Sequence, residues 1–404
     1  MLARPGSVAA NSKAEGLRVL LILSALLAFA SISTDLYLPA MPAMAAALHA
    51  DGGTLALTIS GYLAGFSLGQ LFWGPLSDRF GRRLPVACGL LLFVIGSAGC
   101  ALAASGAQMI AWRVVQALGA CASVVLARAM VRDVYAGDQA AQKMATLMTI
   151  MAVAPLAGPT LGGQLLQWQG WHAVFWVLVL VGLGTLASLR WLPETLPAER
   201  RAPASPRAVL GRYAALARHP RFMAYVAAGG FFYAGTFAYI AGSPFAYIGW
   251  YHVSPQGYGL LFGAGIAGMM LTNQINARLV GRYGSDRLLA AGGLLAALAG
   301  ALVAFASWGG AGGLALLIGG CFLFVSATGM VLANAISGAL NCAPHIAGTA
   351  SALAGALQYG AGILGSAAVA VFADGSPWPM GAALAVCGLC CLLAGAVVLR
   401  ARHP

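Results

Sequence analysis

Residues 17–42 read LRVLLILSALLAFASISTDLYLPAMP, an apolar run long enough to cross a lipid bilayer as one helix. The run carries one acid, Asp35, which lies roughly 6–10 Å inside the end marked by Pro39 and Pro42, at a rise of about 1.5 Å per residue. A carboxylate within a bilayer is costly unless it is paired, protonated or solvated. We therefore expect Asp35 to serve a function; the alternative is that it lies at a solvated helix end.

The composition extends this interpretation to the whole chain. Of 404 residues, 60% are hydrophobic and only 8% are charged, whereas about a quarter of the residues in soluble domains are charged. We therefore predict an all-α polytopic membrane protein, with about 20 apolar residues in each span. The twelve predicted spans cover residues 17–40, 54–77, 85–104, 107–131, 141–167, 172–192, 221–247, 256–280, 287–307, 312–334, 346–372 and 378–400.

The basic residues behind the net charge of +12 are distributed as this topology requires. Lys and Arg cluster at both termini and in the connections after spans two, four, six and eight, whereas the connections on the other side carry none. Because Lys and Arg mark the cytoplasmic side of a membrane protein, both termini are expected in the cytoplasm. The charge is thus a topology signal and does not indicate a nucleic-acid partner.

Residue types needed for other chemistry are poorly placed. Nearly all of the eight cysteines fall within or beside spans, where they act as small apolar residues rather than as a disulfide framework. The six histidines lie at loops or span ends, and neither Lys13 nor Lys143 follows a glycine-rich phosphate loop. We expect no enzyme activity, no metal, no cofactor and no use of ATP by this chain. Its energy would come from an ion gradient or from a separate subunit.

Residues 193–220, PETLPAERRAPASPRAVLGRYAALARHP, form the longest break in the apolar pattern. Their prolines and arginines predict a cytoplasmic linker between a six-span half at 1–192 and a second at 221–404. A short repeat supports the division, since Arg79-Phe80-Gly81 follows span two as Arg282-Tyr283-Gly284 follows span eight. Internal repeats of this kind are typical of secondary transporters, whose site lies between the halves.

The loop after span two reads GPLSDRFGRR at residues 74–83. Its glycines allow a tight turn, and an acid followed by cations can form a latch that closes and opens between conformations. An ordinary basic loop would explain the arginines but neither Asp78 nor the glycine spacing. The loop resembles the GxLaDrxGRR motif of the major facilitator superfamily, which it matches at Gly74, Leu76, Asp78, Arg79, Gly81, Arg82 and Arg83.

This resemblance implies a fold of twelve helices in two pseudo-symmetric halves. It also implies that Asp78 faces the start of span eleven near Gly348 and that Arg82 pairs with Asp133, both contacts favouring the outward-facing state. Gly281 stands where the second half would need the acid, so the latch is expected to be asymmetric.

Span four contains Arg113 and Gln116 within WRVVQALG at residues 112–119, which resembles the RxxQG element of the same family. Arg113 lies about 9 Å from the outer end of its span, close to the depth of Asp35 from the same face. A cation and an anion at matched depth in a membrane are expected to pair, with Gln116 placed to position them. The alternative is that Arg113 extends to the outer headgroups.

Span five contains APLAGPTLGG at residues 154–163. Gly158 and Gly162 form a face for close helix packing, and Pro159 loosens the helix where a transporter bends. With Gly163, the stretch resembles the GxxxGPxxGG antiporter motif of drug exporters, with Ala154 in place of the first glycine. The resemblance implies export rather than uptake.

Three further stretches, STDLYLPAMP at 33–42, ARAMVRDVY at 127–135 and LPET at 192–195, resemble the bicyclomycin-resistance (Bcr/CflA) branch of multidrug and chloramphenicol exporters. The resemblance implies a monomeric proton antiporter of the bacterial inner membrane that exports drugs or small toxic metabolites. Burial and the charge of Arg113 act on the Asp35 carboxyl in opposite directions, so substrate and proton are expected to compete there.

A substrate cavity is expected between the halves. Aromatic faces with a few polar groups suit apolar or weakly cationic drugs. The candidate lining residues lie at or near mid-depth and are Tyr37, Tyr62, Gln70, Tyr233, Phe237, Asn273 and Gln358. Packing between helices is the alternative role for each of them.

Two other functions remain open at this stage. A proton-coupled symporter of a specific metabolite, such as a purine or an amino acid, would take proton and substrate together at Asp35. A membrane sensor or scaffold would show no proton-linked flux, and the paired motifs argue against it.

Overall fold

The structure, a computed structural model, describes residues 13–135, 147, 153–197, 199, 201, 206–308, 313–343 and 347–400. Within these residues the regular elements are helices. In chain order the α-helices are α1 (Lys13–Asp35), α2 (Met41–Ala47), α3 (Gly52–Phe80), α4 (Arg83–Ala101), α5 (Gly106–Val134), α6 (Val153–Gln169), α7 (Trp171–Ser188), α8 (Pro206–Ala217), α9 (Pro220–Pro244), α10 (Pro255–Tyr283), α11 (Ser285–Ser307), α12 (Gly313–Ser326), α13 (Thr328–Asn341), α14 (Ala347–Val371) and α15 (Trp378–Arg400).

Ten segments of the described chain are long and apolar enough to cross a membrane. Helices α6 and α10 occupy the positions predicted for spans five and eight. Helix α6 has 17 described residues, and α10 is more polar because it carries Gln, Asn and Thr side chains along its length. The prediction of an all-α polytopic membrane protein is confirmed. The predicted starts of spans five, ten and eleven, at residues 141, 312 and 346, lie outside the described residues.

The first span is longer than predicted, because the apolar segment continues from Arg18 to Ala47. After α1 the chain forms a 3₁₀ turn, Leu38–Ala40, and then enters α2 directly. Pro39 and Pro42 each stand in the first turn of one of these short helices. A proline there removes no helical hydrogen bond, so the two prolines redirect the span without ending it.

Two other boundaries also differ from the prediction. Span ten extends to Asn341 and is interrupted at Ala327, where the Thr272 hydroxyl of α10 donates to the Ser326 carbonyl oxygen. A carbonyl that accepts a bond from another helix can be released from the regular helical ladder, which explains the interruption. In the predicted linker 193–220, residues Pro206–Ala217 form helix α8, which packs against α9 and α14.

The same helix pairs pack together in both halves of the chain. In the first half, α4 packs on α5 and α7, and α1 packs on α5 and α6. In the second half, the corresponding helix α11 packs on α12, α13 and α15, and α9 packs on α13 and α14. Helices α3 and α10 each have 29 residues. Each is followed by a glycine with positive φ, 88° at Gly81 and 77° at Gly284, where glycine is favoured. The two halves are therefore pseudo-symmetric.

The halves meet chiefly through two helix pairs, α3 with α14 and α6 with α10, with smaller contacts of α9 on α3 and of α9 and α10 on the 3₁₀ turn. We call the face where α3 and α10 end, with Arg79 and Arg282, the arginine-rich face. At the opposite face the halves are closed against each other. There, Gln256 Nε2 donates to Gln167 Oε1 at 2.6 Å, and a Cβ on Gly163 would lie 2.8 Å from the Pro255 carbonyl oxygen.

The packing of α14 on α9 provides a test of the fold. A Cβ on Gly365 would overlap the Ala234 carbonyl oxygen, whereas a Cβ on Gly360 of the same helix would meet nothing within 4 Å. We expect Gly365→Ala to lower the Tm in detergent, because overpacking costs roughly 1–3 kcal/mol. The control Gly360→Ala should keep or raise the Tm, since Ala favours a helix over Gly by about 1 kcal/mol. Tryptophan fluorescence during heating measures both, and equal Tm values would contradict this packing.

Candidate functional site

Asp35, the last residue of α1, is buried inside the first span. Its residue is 6% exposed, and the apolar segment continues past it to Ala47. Because the chain continues through the 3₁₀ turn into α2 and the side chain is buried, the carboxyl does not lie at a solvated helix end. A titratable group at such a depth is expensive to keep charged, which makes it a candidate for function.

Arg113 is held between two aromatic rings at the centre of the first half. It has no exposed surface, and its guanidinium carbon lies 4.2 Å from the ring centroid of Tyr37 and 4.3 Å from that of Tyr62. A cation over an aromatic face is stabilised most when water is excluded. Arg113 Nη1 also donates to the Ser33 carbonyl oxygen at 2.8 Å. The side chain therefore does not extend to the headgroups.

Gln116 links Arg113 to a third helix. Its Oε1 accepts a bond from Arg113 Nη1 at 2.5 Å, and its Nε2 donates to Ser97 Oγ at 2.7 Å. Helices α4 and α5 pack closely here, because a Cβ atom added to Gly96 of α4 would lie only 2.9 Å from the Gln116 Cβ. Together with the 2.5 Å contact between the Ser33 and Tyr62 hydroxyls, these bonds join α1, α3, α4 and α5 around one guanidinium.

The expected ion pair between Asp35 and Arg113 is not formed. Among the described residues, the contacts within salt-bridge distance are Arg82–Asp78, Arg82–Asp133 and Arg221–Asp286. Residues two apart on an α-helix point about 200° apart, so the Ser33 side chain faces Tyr62 of α3 while Asp35 faces Gly158 of α6. As a result, Arg113 Nε and Nη2 are buried without a hydrogen-bond partner among the described atoms.

The glycines of α6 form the surface against which Asp35 lies. A Cβ on Gly158 would stand 3.0 Å from the Asp35 Cβ, and one on Gly162 would overlap the Leu36 carbonyl oxygen. On the other side of α6, Gly163 lies against Pro255, and Pro159 lies against Gly259 of α10. Helix α6, which carries the predicted antiporter motif, thus contacts both the end of α1 and helix α10 of the second half.

Sequence reasoning missed Tyr258, which brings the second half to the same place. Tyr258 is fully buried on α10, and its hydroxyl lies 3.1 Å from Ser243 Oγ of α9. Helix α10, which carries Tyr258, packs against the 3₁₀ turn Leu38–Ala40 just after Asp35. No pattern marked this tyrosine, because its neighbours in the sequence form an ordinary glycine-rich helix start.

Five aromatic rings form a chain of contacts across the interface between the halves. Tyr62 contacts Phe66 at 6.3 Å, Phe66 contacts Tyr359 at 4.9 Å, and Tyr359 contacts Tyr233 at 5.4 Å between ring centroids. Tyr233 in turn lies 4.9 Å from Phe237, as expected for residues four apart on α9. The missed Phe66 could have been found by the same spacing from Tyr62. The structure thus brings three predicted lining residues, Tyr62, Tyr233 and Phe237, into one aromatic set.

The other predicted lining residues are placed differently. Tyr37 is fully buried within the first half against Arg113 and Phe175. Gln358 is buried next to Gly229, and Gln70 faces Gly355 across the halves. Asn273 is exposed, with its backbone against Gly329, so it does not join the aromatic set.

Arg82 joins three helices at the arginine-rich face. Its Nη1 donates to Asp78 Oδ1 at 2.7 Å and to Ser77 Oγ at 2.6 Å, and its Nε donates to Asp133 Oδ2 at 2.8 Å. The Arg82–Asp133 contact implied by the resemblance is present, and Gly81 makes the turn before it. Arg79 is exposed over the Phe80 ring, and a Cβ on Gly74 would meet nothing within 4 Å. The expected contact of Asp78 with the start of α14 near Gly348 stays a prediction.

The second half has an ion pair of a different design. Arg221 Nη2 lies 3.2 Å from Asp286 Oδ2, and the Tyr225 hydroxyl donates to Asp286 Oδ1 at 2.5 Å. This pair joins the starts of α9 and α11, whereas Arg82 joins α3, α4 and α5. The second half has Gly281 at the position that aligns with Asp78, and it carries its ion-paired acid five residues later, at Asp286.

The chain matches the family model described as Major Facilitator Superfamily over residues 21–366. It is 35% identical over 379 residues to the "Uncharacterized MFS-type transporter YdgK" of Bacillus subtilis, covering 92% of this chain and 93% of that protein. It is 33% identical over 377 residues to a "Chloramphenicol resistance protein" of Pseudomonas aeruginosa, covering 89% and 85%. It is 29% identical over 361 residues to a "Bicyclomycin resistance protein homolog" of Haemophilus influenzae, covering 89% and 90%.

Among solved structures, that of a D-xylose-proton symporter aligns with a TM-score of 0.76 at 17% identity, covering 95% of this chain and 97% of that chain. This likeness shows the shared fold alone. The family model and the long matches to resistance proteins together settle the classification. The chain belongs to the major facilitator superfamily of membrane transporters, and its relatives fit the bicyclomycin-resistance (Bcr/CflA) branch.

Proposed function

We propose that this transporter exports drug-like compounds or small toxic metabolites from the cytoplasm in exchange for protons. It would act as a monomer in the bacterial inner membrane, with both termini in the cytoplasm. The observation that carries the proposal is Asp35, a buried carboxyl that has no cation within salt-bridge distance among the described residues. The resistance proteins among its relatives support the substrate class.

Asp35 is the proposed proton carrier. An ionised carboxylate inside the membrane is costly without a partner, so its charge is tolerated only while water, substrate or a cation is near. Protonation from the outside would release the substrate, and deprotonation toward the cytoplasm would restore binding. Exchange also requires that substrate and proton differ in affinity between the inward and outward states.

Arg113 supplies a fixed positive charge for this cycle. Its Nη1 is occupied by Ser33 and Gln116, whereas Nε and Nη2, which lie on one edge of the guanidinium, have no described partner. That edge has the geometry that binds a carboxylate through two parallel bonds. A rotation of the α1 end would bring the Asp35 carboxylate toward it, so the ion pair belongs to another state of the cycle.

Arg82 and its partners are the proposed conformational latch. The loop they stabilise lies at the arginine-rich face, and the halves of this structure are closed against each other at the opposite face. With the termini in the cytoplasm, the closed face is the outer one. Opening it requires the halves to approach at the arginine-rich face, where Asp78 would then reach the start of α14.

The proposal is tested with purified protein in liposomes that contain a pH-sensitive dye. Chloramphenicol, a sulfonamide, a cationic dye, a purine and an amino acid are added in turn. Proton movement opposite to that of the added compound establishes antiport and identifies the substrate class. Movement of both in one direction would show a symporter and contradict export by exchange.

Asp35→Asn should reduce substrate-dependent proton movement to the level of protein-free liposomes, because the amide cannot carry the proton. The matched control is Asp51→Asn. Asp51 is an exposed helix cap that accepts a bond from the Thr54 N–H at 2.5 Å, and Asn caps helices equally well. Both variants should reach wild-type expression. Normal coupled flux in Asp35→Asn would remove Asp35 from the mechanism.

Arg113→Lys should lower transport about tenfold or more, because a hydrogen bond to a charged group is worth about 1.5–3 kcal/mol and lysine cannot stack between two rings. The control is Arg190→Lys, which changes an exposed arginine that lies 3.9 Å from the Trp191 ring centroid. Initial rates in the same liposomes compare the two. Equal rates for both variants would show that Arg113 only fills space.

A further inference from the structure

The first residues of the linker between the halves lie against the latch. In the structure, Glu194 and Thr195 contact the residues around Arg82. We call residues 194–196 the linker anchor.

Glu194 caps helix α4 from outside that helix. Its Oε1 accepts a bond from the Arg82 N–H at 2.8 Å, and its Oε2 accepts one from the Arg83 N–H at 3.1 Å. Arg82 and Arg83 are the N-cap and the first residue of α4, and the Arg82 side chain makes no capping bond. A helix start leaves N–H groups unsatisfied and favours negative charge, so the Glu194 carboxylate fits this position on both counts.

The turn geometry of the latch loop accommodates this carboxylate. A Cβ on Gly81 would lie 2.7 Å from Glu194 Oε2 and 2.8 Å from Arg201 Nη2. Gly81 also has a φ of 88°. The motif glycine thus provides both the backbone conformation and the space that Glu194 needs.

Thr195 adds a second contact, to the acid of the latch. Its hydroxyl donates to Asp133 Oδ2 at 3.2 Å, and the same oxygen accepts the bond from Arg82 Nε. The anchor is closed on itself by Glu194 Oε1, which accepts the Leu196 N–H at 3.0 Å, and by Arg201, which donates to the Leu196 carbonyl oxygen. The linker therefore holds the Arg82 backbone directly through Glu194. It holds the Arg82 side chain indirectly, because Thr195 contacts the Asp133 carboxylate that pairs with it.

The other end of the linker is attached to the second half. Helix α8 packs against α9 and α14, and α14 is the helix whose start the latch is expected to meet. The linker therefore contacts the first half at the latch and the second half beside α14. Movement of the halves at the arginine-rich face changes the distance between these two attachments.

We propose that Glu194 and Thr195 are positioning residues that hold Arg82 against Asp78 and Asp133 and couple the linker to the movement of the halves at the arginine-rich face. This rests on the proposed latch function of Arg82, Asp78 and Asp133. It adds a tether, since the segment that connects the halves also fixes the loop that controls their movement.

The Glu194 carboxyl stays ionised while it does this. Burial disfavours its charge, but the N–H groups of Arg82, Leu196 and Arg83 and the charge of Arg201 together hold its pKa below the ordinary value. Because the pKa of Glu194 is lowered in the folded state, its ionised carboxylate stabilises the anchor fully above the ordinary pKa of 4.5. This stabilisation is lost as the pH falls through the pKa of the folded state. The anchor is therefore constant in the neutral range and does not act as a pH switch there.

Hydrogen exchange on the full-length protein in lipid nanodiscs tests the anchor without any substrate. In Glu194→Gln, the amides of Arg82 and Arg83 should exchange about tenfold faster or more, because a capping bond to a charged acceptor is lost. The control is Glu199→Gln, which removes the same charge from an exposed position of the linker. Unchanged exchange in Glu194→Gln would overturn the anchor, whether or not the protein exports drugs.

Transport then tests the coupling. Glu194→Gln and Thr195→Val should each change the maximum rate of proton-linked flux while the KM stays near that of the wild type, because the cavity is not touched. Thr195→Val removes only the bond to Asp133 and keeps the helix cap, so it serves if Glu194→Gln expresses poorly. Faster exchange with a wild-type maximum rate in both variants would overturn the coupling. Because exchange needs no substrate, this failure is distinct from failure of the export proposal.

Discussion

A guanidinium without exposed surface needs stabilising partners inside the membrane, and the first half is arranged around that requirement. Arg113 takes two tyrosine faces, a backbone carbonyl and the Gln116 amide from α1, α3 and α5, with Ser97 of α4 behind them. A buried cation held this way is stabilised by polarisable rings and hydrogen bonds rather than by a neutralising carboxylate. This arrangement fixes the rotation of the α1 end.

The consequence is that the α1 end has two chemically different sides. Ser33 and Tyr37 face the cation inside the first half, and Asp35 faces the thin glycine surface of α6. Helix α10 of the second half packs against the 3₁₀ turn that follows that carboxyl. In the proposed function, a change of charge at Asp35 therefore acts at the contact between the halves, and the permanent charge at Arg113 stays within one half.

Sequence patterns predicted the membrane class, the loop motif and the positions of Asp35 and Arg113 inside their spans, because apolar runs and isolated charges are local signals. The direction of Asp35 could not be predicted, since the 3₁₀ turn at Leu38–Ala40 and the rotation of α1 depend on packing. The contact between Glu194 and Arg82 joins residues 112 positions apart and leaves no local pattern. The Phe66–Tyr359 contact likewise needs both halves in place.

In the proposed cycle, Asp35 carries the proton that substrate displaces. The most direct measurement counts protons released when a transported compound is added to the detergent-solubilised protein in weakly buffered dye solution, with binding measured in parallel. We expect proton release on binding in the wild type, and binding without release in Asp35→Asn. Equal release from the wild type and Asp35→Asn would contradict it.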